Sequence, residues 1–213
     1  MDPIDFYFDF ISPYAFLAST RIEQLAQRHG RTVRWHAFRL GVTVVKVMGL
    51  RPMLETPLKG DYTLKDVARV AKMMGEPLVS PITLPDPRPA ARLLYSVSTQ
   101  RRGEFAKALL RAQWAGGLDI GKEEVLRGVA GELGMEPAAV DHALRDPGPK
   151  EALAAATKSA IDRGVFGSPT CAVGTELFWG TDRLWLLDLY LSAGERYIPF
   201  ERQAQAVLGV HLQ

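Results

Sequence analysis

From Ile4 to Phe10 apolar and polar side chains alternate, with Ile4, Phe6, Phe8 and Phe10 on one face and Asp5, Tyr7 and Asp9 on the other. A period of two carried by aromatic residues predicts a β-strand. After Ser12-Pro13 the spacing becomes helical, with Tyr14, Leu17, Ala18, Ile22, Leu25 and Ala26 on one stripe and an end near Gly30. Serine followed by proline suits a helix start, because the serine oxygen accepts a free amide and proline fits the first turn. Residues 32–38, TVRWHAF, alternate again and predict a second strand. Strand, helix and strand in this order imply parallel pairing through a right-handed crossover.

The middle of the chain has a different period. A loop carrying Gly41, Gly49, Pro52 and Pro57 leads into about a hundred residues of helical pattern. Thr63 is expected to open a helix bearing Leu64, Val67, Ala68, Ala71 and Met74 on one face. PITLPDP (81–87) breaks the pattern, and Asp86-Pro87 starts another helix through Leu93, Leu94 and Val97. Further helices are predicted over 105–114, 123–133, 137–145 and 149–163, the last stopping at Gly164. Strand pattern then returns: 170–173 and Leu177-Phe178 flank a turn at Gly174 and predict a hairpin, followed by a helix over 183–191. The fold class is therefore α/β, one domain with an all-helical domain inserted into it. Residues 1–58 and 164–213 form the first, and 59–163 the insertion.

Composition narrows the function classes. The 213 residues are 47% hydrophobic and 23% charged, ordinary values for a globular chain. A net charge of +2, evenly spread, argues against a nucleic-acid partner, and Arg101-Arg102 reads as a solvated helix end. No apolar run reaches the roughly 18 residues of a membrane span, and Met1-Asp2-Pro3 leads straight into a strand, so a cytoplasmic location is expected. One cysteine, Cys171, forms neither an internal disulfide nor a CxxC pair, and its TCAV setting suits a structural, buried thiol. His29, His36, His142 and His211 show no metal-ligand spacing, so no metal is expected.

Three segments carry candidate chemistry. FDFISPYAF (8–16) places Ser12 where a strand ends at a helix start, a position that stabilises a nearby anion but also suits a plain N-cap. GVFGSPT (164–170) puts Pro169 where a loop enters a strand; a cis Ser168–Pro169 bond would present the Ser168 amide and carbonyl to a peptide-like ligand, an ordinary proline turn being the plainer reading. In FWGTDR (178–183), Thr181 or Asp182 would cap the last helix, whose first amides suit a carboxylate.

Taken together, FYFDFISPYAF, PLKGDY (57–62) with Asp66 and Arg69, GVFGSPT and FWGTDRL resemble the glutathione-dependent branch of the DsbA-like thioredoxin family. The nearest pattern is that of the 2-hydroxychromene-2-carboxylate isomerases, with the kappa-class glutathione transferases beside it. The resemblance spans essentially the whole chain and implies a thioredoxin-like domain with a helical insertion, and glutathione as cofactor. It further implies that Ser12 hydrogen-bonds the glutathione sulfur and favours its thiolate. Ser168, before a cis Pro169, would pair through its backbone with the cysteinyl part, and Asp182 with Thr181 would hold the γ-glutamyl end. Two positions depart from the pattern: Ser168 stands where an aliphatic residue is usual, and Arg51-Pro52 where many relatives carry Asn-Pro.

The implied reaction interconverts 2-hydroxychromene-2-carboxylate and trans-o-hydroxybenzylidenepyruvate, in aromatic hydrocarbon degradation. A thiolate adds to the conjugated carbon, the resulting single bond rotates, and elimination leaves the trans isomer. The substrate, a small aromatic oxo-acid, brings a carboxylate and a developing enolate, for which Lys46 and Lys59 are the favoured partners among Arg39, Lys46 and Lys59. Tyr62 belongs either beside Lys59 or in the core. A kappa-like transfer of glutathione to another electrophile, a non-catalytic glutathione or peptide carrier, and a homodimer all stay open. Thiol–disulfide exchange does not, because Ser12-Pro13-Tyr14-Ala15 occupies the place of the dithiol.

Overall fold

Strand β1 (Ile4–Phe8) lies inside a four-stranded sheet and is buried along its whole length. It pairs in parallel with β2 (Val33–Ala37), Ile4 opposite Val33 and Phe8 opposite Ala37. On its other side it runs antiparallel to β3 (Thr170–Val173), with Phe6 opposite Cys171, and β4 (Glu176–Trp179) completes the sheet as the hairpin partner of β3. The computed structural model describes residues 2–79 and 84–193. Residues 80–83, part of the expected break at 81–87, and residues 194–213, the end of the expected α/β segment with His211, lie outside the described residues.

The alternation in β1 separates two cores rather than core from solvent. Ile4, Phe6 and Phe8 join the large cluster with Phe16, Trp35 and Phe105, while Tyr7 packs with Phe38, Ala160, Val165 and Ala172 in a smaller one. Each fully buried phenylalanine contributes about 1.5–3 kcal/mol of transfer free energy, and the Phe6 and Trp35 rings add an edge-to-face contact at 4.9 Å. Helices on both faces leave the polar side of β1 buried as well, so Asp5 and Asp9 each need partners inside the protein.

The single helix expected over 13–30 is two, α1 (Pro13–Ser19) and α2 (Ile22–Arg28). The break falls at Thr20-Arg21, where the Arg21 guanidinium turns away to the Met74 carbonyl at 2.7 Å and the Glu76 carboxylate at 2.8 Å. The insertion comprises α3 (Lys59–Met74), α4 (Arg88–Ser96), α5 (Arg102–Trp114), α6 (Glu123–Glu132), α7 (Pro137–Arg145) and α8 (Pro147–Asp162), and α9 (Leu184–Ala193) follows the sheet. Thr63 does not open α3. Gly60, pressed against the Leu54 carbonyl where a side chain would not fit, lets the helix begin four residues earlier. The Thr63 hydroxyl instead donates to the Lys59 carbonyl at 2.7 Å. Arg102 is not a solvated end, its guanidinium lying 4.8 Å from the Tyr95 ring; Arg101 is partly exposed and lies 4.9 Å from the Phe105 ring.

Insertion and sheet share one apolar cluster, which includes Val67, Leu93, Leu109, Leu126 and Leu153 together with β1. Polar ties reinforce it: the Tyr95 hydroxyl donates to the Ala37 carbonyl at 2.6 Å and the Trp114 indole to the Phe10 carbonyl at 2.9 Å. Among the described residues no helix is long and apolar enough to cross a membrane, and no three His, Cys, Asp or Glu side chains gather where they would hold a metal ion.

Candidate functional site

Where β1 ends, the chain makes a tight turn into α1: the Ser12 amide donates to the Asp9 carbonyl at 3.0 Å. Ser12 is the N-cap of α1, its Oγ accepting the Ala15 amide at 3.1 Å. The same hydroxyl donates to the Ser168 carbonyl at 2.9 Å, so the turn before α1 and the turn before β3 meet across this one bond. The Ser168–Pro169 peptide bond is cis, as the resemblance implies. Ser168 has a local reason to be polar, since its Oγ accepts the Asp9 amide at 2.9 Å. The Pro169 carbonyl accepts the Gly180 amide at 2.9 Å, which joins this pair to the FWGTDR segment.

Neither Thr181 nor Asp182 caps α9. Both lie inside a single 3-10 turn, Thr181–Arg183, that follows Gly180. Gly180 has φ 102°, and the Asp182 carboxylate sits over its Cα, so glycine is required there. The Thr181 hydroxyl is taken by the Tyr14 carbonyl at 2.5 Å, and Asp182 pairs with Arg183 at 2.6 Å.

These turns border a cleft of about 1100 Å³. Of the residues expected at the site, Lys59, Ser168, Thr181 and Asp182 line it. Ser12, 6% exposed, lies behind Ser168, and Pro169 is buried next to it. Lys46 lies elsewhere, exposed on a π-helical turn, Val42–Val47, that does not line the cleft; nor do the exposed Arg39 and Arg51. Lys59 stands at the first position of α3 rather than on a loop.

Tyr14 and Asp66, to which the sequence patterns assign no role, also line the cleft, and Tyr62 stands with them. Tyr14 donates to the Asp66 carboxylate at 2.7 Å, Tyr62 reaches the same carboxylate at 3.3 Å and Arg69 at 3.2 Å. Burial, reinforced by the Asp66 carboxylate, holds the Tyr14 phenol well above the usual range. Tyr62 is 60% exposed and is not core. Trp179 forms another wall, edge-on to Phe166 at 4.9 Å, its indole filling the space that a side chain on Gly167 would need. Gly167 directly before the Ser-Pro pair is the one sequence signal that points to this wall.

Two titratable groups lie close beneath. Asp9, 3% exposed, accepts the Ile11 amide at 3.2 Å and the Leu40 amide at 2.8 Å, yet burial pushes its carboxyl up to about 6. A strand alternation that assigns Asp9 to an outer polar face conceals this. Cys171 is buried in β3 and burial pushes its thiol up to about 12, which keeps it inert at neutral pH and fits the structural role expected for it.

Comparison with known proteins extends these observations. The family described as DSBA-like thioredoxin domain matches residues 3–192. A 2-hydroxychromene-2-carboxylate isomerase of Pseudomonas putida is 33% identical over 186 residues, 87% of this chain and 92% of that one. Glutathione S-transferase kappa 1 of Caenorhabditis elegans is 28% identical over 200 residues, 86% of this chain and 88% of that one. Among solved structures, a 2-hydroxychromene-2-carboxylate isomerase superposes with a TM-score of 0.82 at 30% identity, covering 100% of both chains.

Proposed function

The chain belongs to the DsbA-like thioredoxin family, and we propose that within it the protein is a glutathione-dependent isomerase. Its reaction is the interconversion of 2-hydroxychromene-2-carboxylate and trans-o-hydroxybenzylidenepyruvate. The observation that carries this reading is the Ser12–Ser168 pair at the edge of the cleft, with a hydroxyl and no thiol at the start of α1. The isomerase relatives, at 31–33% identity over 88–97% of their length, supply the substrate class, and the kappa relative supports the cofactor. A cytoplasmic location belongs to the same reading.

The residues present fit glutathione. The cleft, about 1100 Å³, exceeds the roughly 300–1,000 Å³ of ordinary ligand pockets and has room for a tripeptide beside a bicyclic acid. Ser168 would hold the cysteinyl part through its backbone, and the Thr181–Asp182 turn the γ-glutamyl end. Because the Thr181 hydroxyl is engaged by Tyr14, that turn would contribute its backbone and the Asp182 carboxylate. When bound, glutathione supplies a thiolate that adds reversibly to the conjugated carbon and so allows rotation about the former double bond.

Ser12 then has a defined task. Its proton rests on the Ser168 carbonyl, the acceptor that the cysteinyl amide would take. That carbonyl has a second lone pair for the ligand amide, so what would turn the hydroxyl is the stronger acceptor: a bond to an anion is roughly twice as strong as one to a neutral carbonyl. Lys59 is the cleft-lining cation of the favoured pair and would balance the substrate carboxylate and enolate. Lys46, outside the cleft, receives no role.

Turnover of the chromene acid with and without glutathione tests the reading. Isomerisation that requires glutathione is expected. The kappa relative favours a second reading, conjugation of another electrophile. Conjugation without isomerisation would support that alternative, and glutathione binding with neither activity would identify a carrier.

A further inference from the structure

The hydroxyl protons around the cleft are accounted for with one exception. Tyr14 and Tyr62 donate to Asp66, Thr63 to the Lys59 carbonyl, and Thr181 to the Tyr14 carbonyl. Ser12, behind the wall, donates to the Ser168 carbonyl. Ser168 lines the cleft, and its Oγ accepts a hydrogen bond from the Asp9 amide at 2.9 Å but donates to no acceptor among the described residues. Its proton is therefore available to a ligand. The bond that Oγ accepts also polarises the hydroxyl and strengthens what it donates.

We propose that Ser168 is a second catalytic residue, its side-chain hydroxyl donating to the same thiolate as Ser12. This rests on the glutathione reading and adds a role for the Ser168 side chain to that of its backbone. The backbone of Asp9 spaces the two serines, its carbonyl accepting the Ser12 amide at 3.0 Å and its amide donating to Ser168 Oγ at 2.9 Å. Asp9 is itself held by the Ile11 and Leu40 amides, so both serines are tied to one fixed backbone unit, Ser168 lining the cleft and Ser12 directly behind it. One proton turns from the Ser168 carbonyl to the thiolate, the stronger acceptor, and the other is already free. Two donors on one sulfur lower its pKa further than either alone.

The test is a pH titration of thiolate absorbance in the binary complex with glutathione, for wild type, S168A and S168T. The expected result is a bound-thiol pKa higher by about one in S168A, with the wild-type value restored by S168T. Glutathione affinity at acidic pH, where the thiol is protonated in every variant, is expected to change little. S168V, close in shape to S168T and lacking its hydroxyl, makes the same comparison at constant bulk. A wild type that lowers the thiol pKa, together with a folded S168A or S168V that lowers it equally, overturns this proposal alone and leaves Ser168 as the partner of Asp9. A wild type that leaves the thiol at its solution pKa overturns the glutathione reading and this proposal with it.

Discussion

Replacing Ser12 with alanine removes one oxygen that has two structural partners and one proposed chemical task. The cap on the Ala15 amide is worth about 1 kcal/mol, and the bond to the Ser168 carbonyl about another 1 kcal/mol. A loss of about 2 kcal/mol lowers the melting temperature of a chain this size by about 4–8 °C. The chemical effect is separate: a hydrogen bond to a charged group contributes about 1.5–3 kcal/mol, a tenfold to hundredfold fall in turnover if expressed fully in the chemical step. Glycine at this position separates the two, because as an N-cap it costs only a few tenths of a kcal/mol. S12G is therefore expected to recover part of the stability lost in S12A while turnover stays low. Thermal melts, glutathione-dependent isomerisation and the bound-thiol pKa are measured on both variants. Turnover that recovers together with stability in S12G, or an S12A enzyme with full activity and an unchanged thiol pKa, would refute the mechanism and leave Ser12 a helix cap.

Three further outcomes concern the groups around the site. Because burial raises the Asp9 carboxyl from 3.8 to about 6, the unfolded chain ionises first and stability falls as pH rises from about 4 to 6, by a few kcal/mol. Urea unfolding across that window is expected to show the slope in wild type and not in D9N. Asp5 behaves oppositely: burial alone would raise its carboxyl, but bonds to His36, Arg34 and Arg163 outweigh it and hold it below the ordinary range. Its contribution is present above about pH 4 and is lost as pH falls through its lowered value. D5A at neutral pH is expected to cost about 2–3 kcal/mol in urea unfolding, less than for a wholly buried pair because Arg34 is half exposed. C171A is expected to keep glutathione-dependent turnover, and Cys171 in the native wild type to resist thiol reagents until the protein unfolds; a collapse of activity in folded C171A would contradict its structural role.

The order of elements was legible in the sequence because it rests on local periodicity. The aromatic alternation of residues 4–10, the Ser12-Pro13 start, the helical stretch and the hairpin about Gly174 each depend on neighbours within a few residues, which is why they correspond to β1, α1, α3–α8 and β3–β4. The Ser12, Ser168 and Thr181–Asp182 segments were likewise singled out by motif, and the fold brings them together. What local pattern does not contain is which surface an element meets. Alternation marks two faces of β1 but not that helices cover both, so Asp5 and Asp9 became buried groups with displaced pKa values. Thr181 looked like a cap until the Tyr14 carbonyl, 167 residues away in sequence, took its hydroxyl. Lys46 and Lys59 were both favoured, Lys59 more because it lies in PLKGDY, and only Lys59, at the start of α3, lines the cleft. Tyr14 and Asp66, 52 residues apart, acquired a shared role only when α1 and α3 packed. Hydrogen bonds and burial are decided at contacts between distant segments, and those contacts exist only once the sheet and its insertion have closed on a common core.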